Sequence, residues 1–483
     1  MPAAPEWCGL LAWRPRAWLP VLALAVHCAG AAAAEPWGSY LRPFDVQSPW
    51  NARPVAPVLG DYEIPQAKYY PNVAEGRFST GVFLAAQDDP PVEVFPMPNR
   101  RGVWDPDAEQ HLPKVVVPHW PKDVVPASGA DGHADIVDPV SGIVHSFFQL
   151  RMIEGRWVAT QYAWTRLAGR GWGEPGHYFQ GARAAGVPTM AGIIRKHELR
   201  DGDALFRHAL AMSLDFTGLS ASPTYIFPAT AADATAATTN SGRIPEGALL
   251  MLPRDFDAAS IQNPTLRKIA ETFKVYGGYV VDRNSGTPYA IYVENGSNFQ
   301  LHEGGWNNAT ARDLQRIRAA LRQVVSVGGW LDGDGQPMQM EQALNMLSLR
   351  GPWQLRQGRQ AGRYDTWQQA VVFEADGETV VQSNGSGRNL HPVQWAQPQA
   401  GRSYRLAATA TGGASLRLVI TGPERAVLYD SGELGSGRAQ TFAWPAGHQG
   451  VTLTLRNGGG AQRASIGGSL VPDTGATSTV QPR

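Results

Sequence analysis

The chain has 483 residues, 42 basic and 42 acidic side chains, two cysteines, and abundant Gly (53), Pro (37) and Trp (16). A formal charge of zero supplies no long-range pull on phosphate backbones, so a general nucleic-acid role is excluded as a class. With only 17% charged residues and so much Gly and Pro, a coiled coil or helical bundle is excluded as well, leaving a loop-rich, mainly β protein of two or three domains.

Arg14 and Arg16 precede an apolar run from Ala17 to Ala31, and Ala32, Ala33 and Ala34 then meet Glu35. A positive start, an apolar stretch and small residues at a cleavage point read as a secretory signal over 1–34. Pro20 and His27 weigh against an uncleaved membrane anchor. Cys8 and Cys28 leave with the signal, so the mature chain is expected to be cysteine-free and secreted or periplasmic, without membrane contact. Thiol nucleophiles and Cys-ligated zinc drop out with them.

From Trp37 to Val125 frequent prolines predict extended arms and short edge strands. Alternating patterns predict strands at 143–152, 157–165 and 208–214. Asn263 as cap, Pro264 at the first position and an apolar face of Leu266, Ile269 and Phe273 predict a helix over 264–276, stopped by Gly277 and Gly278. Segments 279–282 and 288–294 read as a hairpin across the turn 283–286. A second helix is expected at 309–325, with Arg312, Arg316, Arg318 and Arg322 on its wet side. Dense Gly, Asp and Pro at 328–337 read as a linker, and evenly spaced short strands beyond it read as a small β-sandwich. The expected organisation is a signal (1–34), a β-sandwich or jelly-roll-like domain with a few helices (35–330), a linker (331–345), a β-sandwich accessory domain (346–471) and a disordered tail (472–483).

The densest polar cluster runs from Asp131 through His133 and Asp135 to Asp138. In a strand, Asp131, His133 and Asp135 share one face, while Asp138 sits at the turn that follows. The next strand brings His145, Gln149 and Arg151 onto one face, so a hairpin of the two makes a wall able to hold a sugar and move protons. The competing reading is a solvated face with turn-forming aspartates. In a second cluster, Arg195 and Glu198 form either a structural ion pair or, through Arg195, a seat for a substrate carboxylate. His208, alternating with Leu210, Met212 and Leu214, reads first as a hydrogen-bonded core histidine.

Nothing in the sequence requires a cofactor or a metal. His-Glu-x-x-His and complete EF-hand loops are missing, Asp332-Gly-Asp-Gly lacks the loop's glutamate, and Gly169-Arg-Gly-Trp-Gly lacks a phosphate-loop context. No Gly-x-Ser-x-Gly elbow occurs. Thirteen tryptophans follow the signal, and Trp157, Trp164 and Trp306, with Tyr276, are candidate sugar-stacking groups among a majority expected in the core.

The stretch from Asp131 to Trp306 resembles a family of secreted bacterial β-rich proteins whose biochemical function is not established. The resemblance rests on Asp131-x-His133 with Asp138, on Trp157, and on Ala185-Gly-Val-Pro. It continues through Gly192-Ile-Ile-Arg-x-x-Glu198, Gly202, His208-Ala-Leu, Tyr225-x-x-Pro-Ala-Thr230, Pro245-x-Gly-Ala, and Tyr276-Gly with Asp282. It implies one exported β-rich domain carrying an appended C-terminal sandwich, without a settled catalytic assignment. Ser146 stands where family members place an acidic residue.

These residues point to an exported enzyme that cleaves a polysaccharide. For hydrolysis, Asp131, Asp138, Glu198 and Asp282 are the carboxylate pool. For elimination on a uronate chain, Arg195 neutralises the carboxylate, and His133, His208 or Tyr276 takes the proton. A non-catalytic glycan binder is the competing class. Convergence of Asp131, His133 and His208 in one cleft separates these readings.

Overall fold

The computed structural model describes residues 35–355, 360–374, 381–384, 388–459 and 462–473. The expected signal, both cysteines and the chain beyond 473 lie outside the described residues.

The chain is mainly β. A seven-stranded sheet takes the order Val58–Leu59, Arg322–Ser326, Leu249–Met251, Gly278–Asn284, Leu210–Asp215, Tyr289–Tyr292, Asn72–Ala74. Its inner strand Leu210–Asp215 is buried along its whole length, and the period-two rule divides it cleanly. Leu210, Met212 and Leu214 face a core shared with Leu266, Ile269 and Phe273 of the helix Pro264–Val275 and Leu314 and Ile317 of the helix Asn308–Ala320. Ala211, with Ala209 just before the strand, faces a second core shared with Val82, Val137 and Val144 of a six-stranded sheet. That sheet runs Gly81–Leu84, Ala134–Asp138, Ile143–Phe148, Gln161–Arg166, Val103–Asp105, Gln110–Leu112. From its other face Ala134, Ile136, Phe147 and Tyr162 meet Val94, Val115 and Val117 of a four-stranded sheet. The layers are therefore helices, sheet, sheet, sheet. At about 1.5–3 kcal/mol for each large apolar side chain, this burial is the main force holding them together.

Three elements differ from the expectation. The segments expected to form a hairpin across 283–286 are not neighbours, because Leu210–Asp215 lies between them, parallel to Gly278–Asn284 and antiparallel to Tyr289–Tyr292. A strand buried along its whole length is worth more between them than the local turn is. The second helix ends at Ala320: Leu321 is extended and buried, and Arg322–Ser326 pairs with Leu249–Met251. Arg322 folds back onto the Ala319 and Leu321 carbonyls, and Arg318 is buried against Glu63 rather than wet. The stretch read as a linker carries the strands Gly329–Leu331 and Pro337–Met338, which form a small sheet with Arg53–Val55. Asp332 closes that turn by accepting from the Asp334 and Gln336 amides.

The C-terminal region forms a ten-stranded ladder from Val427–Asp430 to Ala439–Ala443. It curls over one core, where Leu416, Leu418 and Leu453 from one end meet Leu406, Ile466 and Leu470 from the other. Asp107 joins this sandwich to the preceding sheets, accepting from Thr366 Oγ1 (2.8 Å) and Gln369 Nε2 (2.7 Å). Trp164 stacks on Trp367 at 4.7 Å beside it. Among the described residues, no helix is long and apolar enough to cross a membrane.

Candidate active site

A cleft of about 480 Å³ opens where the loop before Ala134–Asp138, the end of Gly278–Asn284 and the loops around Arg183 and Asp233 meet. Its size suits a few sugar rings. Asp131, His133, Asp282, Asp233, Arg183 and Arg283 supply its polar lining, and Trp104, Phe148 and Phe179 its aromatic walls.

The approach to Asp131 is set by backbone geometry. Gly132 has φ of +47°, and a Cβ there would lie 1.6 Å from Arg151 Nη1, so only glycine fits. Arg151 holds the Leu150, Ala130 and Gly129 carbonyls, while the amides of Gln149 and Leu150 donate to the Asp131 and Gly132 carbonyls. His133 is buried, with Nδ1 facing the Phe147 carbonyl at 3.3 Å. Burial, then the nearby Arg183 charge, pushes it down to about 3, so it is a neutral imidazole.

Asp282 is placed by a β-bulge. Met212 pairs with Val280 but Ser213 pairs with Asp282, leaving Val281 as the extra residue and turning the carboxyl toward the cleft. Its side chain keeps 18% exposure and accepts from Arg183 Nη1 (3.2 Å) and the Arg283 amide (2.9 Å). Burial pushes Asp282 up to about 6; Arg183 opposes this, and Asp233 and Asp131 reinforce it. Burial also raises Asp131, against Arg183 and Arg151. Burial raises Asp233 against Arg283, with Asp131 adding to the rise. Behind them, burial and then Asp233 and Asp282 hold Glu246 well above the carboxylate range, and Glu246 accepts from the Asp233 amide at 3.2 Å. Carboxyls coupled in this way in a low-dielectric site make one another harder to ionise.

Arg183 is the counter-charge. It is 1% exposed, lies 3.8 Å over the Tyr292 ring, and leaves Nε and Nη2 buried without a hydrogen-bond partner. Gly181 must be glycine for this loop to form, since a Cβ would lie 1.9 Å from Pro188 N.

Of the expected catalytic groups, the cleft gathers Asp131, His133 and Asp282. Arg195, Glu198 and His208 belong to a different cluster, so the three-way convergence does not occur: the catalytic reading built on that trio fails, and His208 is the hydrogen-bonded histidine of the competing reading. Arg195 Nε donates to Glu294 (2.8 Å) and its guanidinium lies over Tyr40, while His208 Nε2 pairs with Glu198 (3.1 Å). Burial alone would raise Glu198, but the charge and hydrogen bond of His208 pull it down to about 2. Burial would lower His208, but Glu198 raises it. Asp138 is the turn aspartate: its carboxylate accepts from the Val140 and Ser141 amides and from His119 at 2.8 Å.

The expected binding wall separates for local reasons. His145 is buried against the Tyr162 hydroxyl at 2.9 Å, and Gln149 has φ of +56°, which ends the strand. Arg151 then begins a new strand, Arg151–Ile153, in the four-stranded sheet, and its guanidinium clamps the loop before Asp131. Asp135 points away from His133, to Thr189 Oγ1 and the Met190 amide. Trp157 packs on Trp120, Trp164 on Trp367, and Tyr276 is buried near Arg53. Trp306 is 59% exposed and does not line the cleft.

Arg183, Asp233 and Glu246 were not anticipated from the sequence. Arg183 precedes Ala185-Gly-Val-Pro by two residues, and nothing in the sequence around it marks it as buried. Asp233 stands alone in an alanine-rich loop, with no pattern around it. Among the described residues, no group of three or more His, Cys, Asp or Glu is arranged to hold a metal ion.

No protein-family model matches the chain, and no curated protein matches it either. The resemblance described above therefore rests on its motif positions. Solved structures give local likenesses. Accessory secretory proteins 1, 2 and 3 of Streptococcus pneumoniae match at 8% identity over 21% of this chain and 85% of theirs, TM-score 0.15. A family 29 carbohydrate-binding module complexed with mannohexaose matches at 14% over 23% of this chain and 74% of its own, TM-score 0.14. A glycoside hydrolase family 43 arabinoxylan arabinofuranohydrolase from Bacillus subtilis matches at 14% over 34% and 37%, TM-score 0.14. Likenesses this small carry no argument about the chain's fold or function.

Proposed function

We propose that the chain is an exported enzyme that cleaves glycosidic bonds of a polysaccharide by carboxyl acid–base hydrolysis in this cleft. The observation that carries the reading is Asp282: a part-exposed carboxyl on the cleft wall, pushed up to about 6, beside a second carboxyl, Asp131. A carboxyl protonated near its working pH donates to a leaving oxygen, and an ionised neighbour activates water or attacks. We assign Asp282 as the acid and Asp131 as its partner, with Arg183 stabilising the charge left on Asp282 after transfer. Trp104, Phe148 and Phe179 offer apolar faces to sugar rings.

Elimination on a uronate is less well supported. No tyrosine lines the cleft, Arg195 is engaged by Glu294, and a histidine held near 3 is a feeble base at neutral pH. The test is a panel of neutral and uronate polysaccharides, read by reducing-end release and by absorbance of unsaturated uronates. Reducing ends without unsaturation, lost in Asp282→Asn, is the expected result. Unsaturated products would overturn the hydrolytic assignment, and binding without products would make the cleft a receptor.

A further inference from the structure

A second polar cavity, of about 690 Å³, lies away from the carboxyl cleft and shares none of its lining residues. The loop 296–307 and the starts of both long helices form it. Asn298, Gln300, Glu303 and Arg200 line it, and among the described residues none of these side chains is engaged in a hydrogen bond or ion pair. Glu303 and Asn307, on either side of Trp306 in the chain, are part of the lining.

Trp306 is held in a fixed attitude. Its Nε1 donates to Asn308 Oδ1 (2.8 Å), the His302 ring stacks on it at 4.6 Å and 24°, and Tyr70 meets it edge-on at 5.1 Å. The His302 ring is itself fixed, accepting at Nδ1 from the Asn307 amide (3.1 Å). With both ring contacts made, 59% of Trp306 and 48% of Tyr70 still face solvent. A tryptophan braced by hydrogen bonds and left open has lost its rotamer freedom without burying its apolar area, and that area is the part available to a partner.

We propose that the Trp306 platform and the cavity lined by its chain neighbours Glu303 and Asn307 form a second glycan-binding site, for a neutral extended oligosaccharide. This rests on the reading of the chain as glycan-directed and adds a site separate from the cleft. The apolar face of one pyranose stacks on Trp306, and the hydroxyls of neighbouring sugars in the oligosaccharide exchange hydrogen bonds with the Asn298 and Gln300 amides and Glu303. Lys196 is paired with Glu294 (3.4 Å), which leaves one charge of each sign, Arg200 and Glu303, in the lining, so the chemistry favours hydroxyls over carboxylates or phosphates. A platform outside the cleft would hold a long chain near the enzyme and raise its local concentration.

The test uses the full chain, with cellohexaose and xylohexaose as neutral probes and an oligogalacturonate as the acidic one, titrated calorimetrically. Asp282→Asn is the background, so that turnover does not intervene. Trp306→Ala should lower neutral hexasaccharide affinity at one site about tenfold, Trp306→Phe should restore most of it, and Asn298→Ala with Gln300→Ala should cost about threefold. Unchanged binding in Trp306→Ala, or capture of the acidic probe alone, overturns the proposal. Full hydrolysis by Asp282→Asn together with Trp306-dependent binding would sink the cleft assignment and leave this site standing. Loss in Trp306→Ala that Trp306→Phe fails to restore would show that the ring supports the loop rather than the ligand.

Discussion

Two clusters of buried charge lie at different places in the layered domain, and their acids move in opposite directions. Around Glu198, His208, Arg195 and Glu294, acid and base are matched, so the Glu198 carboxyl is drawn down to about 2 and the His208 imidazole upward. Around Asp282, Asp131, Asp233 and Glu246, acids crowd one another and the cleft's arginines only partly offset burial, so all four carboxyls move upward. The first arrangement fixes charges, and fixed charges hold loops. The second keeps a proton loosely held at mildly acidic pH, which suits acid–base chemistry and costs stability when the group ionises. His208 and Glu198, offered by the sequence as either catalytic or structural groups, belong to the cluster that holds structure.

Four measurements bear on that contrast. The largest expected effect is on rate: Asp282→Asn should lower hydrolysis at least about a hundredfold, with its far-UV circular dichroism unchanged. Glu198→Gln should leave kcat near wild type while lowering Tm, and a large drop in its kcat would erase the distinction. Next, Arg195→Met leaves the buried Glu294 with Lys196 (3.4 Å) as its remaining counter-charge and should cost about 3 kcal/mol in urea unfolding, whereas an exposed arginine such as Arg312 should cost less than about 0.5 kcal/mol.

The third measurement is pH. Glu198, depressed from 4.5, contributes stability above pH 4.5 that is lost as pH falls toward about 2. His208, raised from 6.5, contributes stability below pH 6.5 that is lost as pH rises through its folded value. Asp282, raised from 3.8, contributes only in acid and loses that contribution as pH rises through about 6. Tm followed from pH 4 to 8 should therefore show Glu198→Gln losing most at about pH 4.5–6.5. The wild-type kcat should fall above about pH 6 as Asp282 gives up its proton. A flat alkaline limb would refute the acid role. The smallest effect is at the walls: Trp104→Ala should raise KM about three- to tenfold, the worth of one aromatic contact, with little change in kcat.

Local signals in the sequence served well where the interaction is local. Asn263 and Pro264 start a helix because a side-chain oxygen three residues away caps it: Asn263 Oδ1 accepts from the Leu266 amide at 2.9 Å. Leu210, Met212 and Leu214 mark a core strand because alternation is a property of the backbone. Asp131 and His133 reached the cleft because glycine between them permits the one turn that puts both there. Arg183 and Asp233 were out of reach, since neither has a neighbour in sequence that explains it, and each is defined by carboxyls that lie far along the chain.

The hairpin expected across 283–286 shows the limit from the other side. Its turn residues are sound, yet a fully buried strand from about seventy residues earlier takes the place between its two arms. Fold class, helix starts and the apolar faces follow from composition and period, because those act over a few residues. Which acids share a cleft, and which are quenched by a base, follows from packing, because burial and charge–charge coupling depend on distance in space alone.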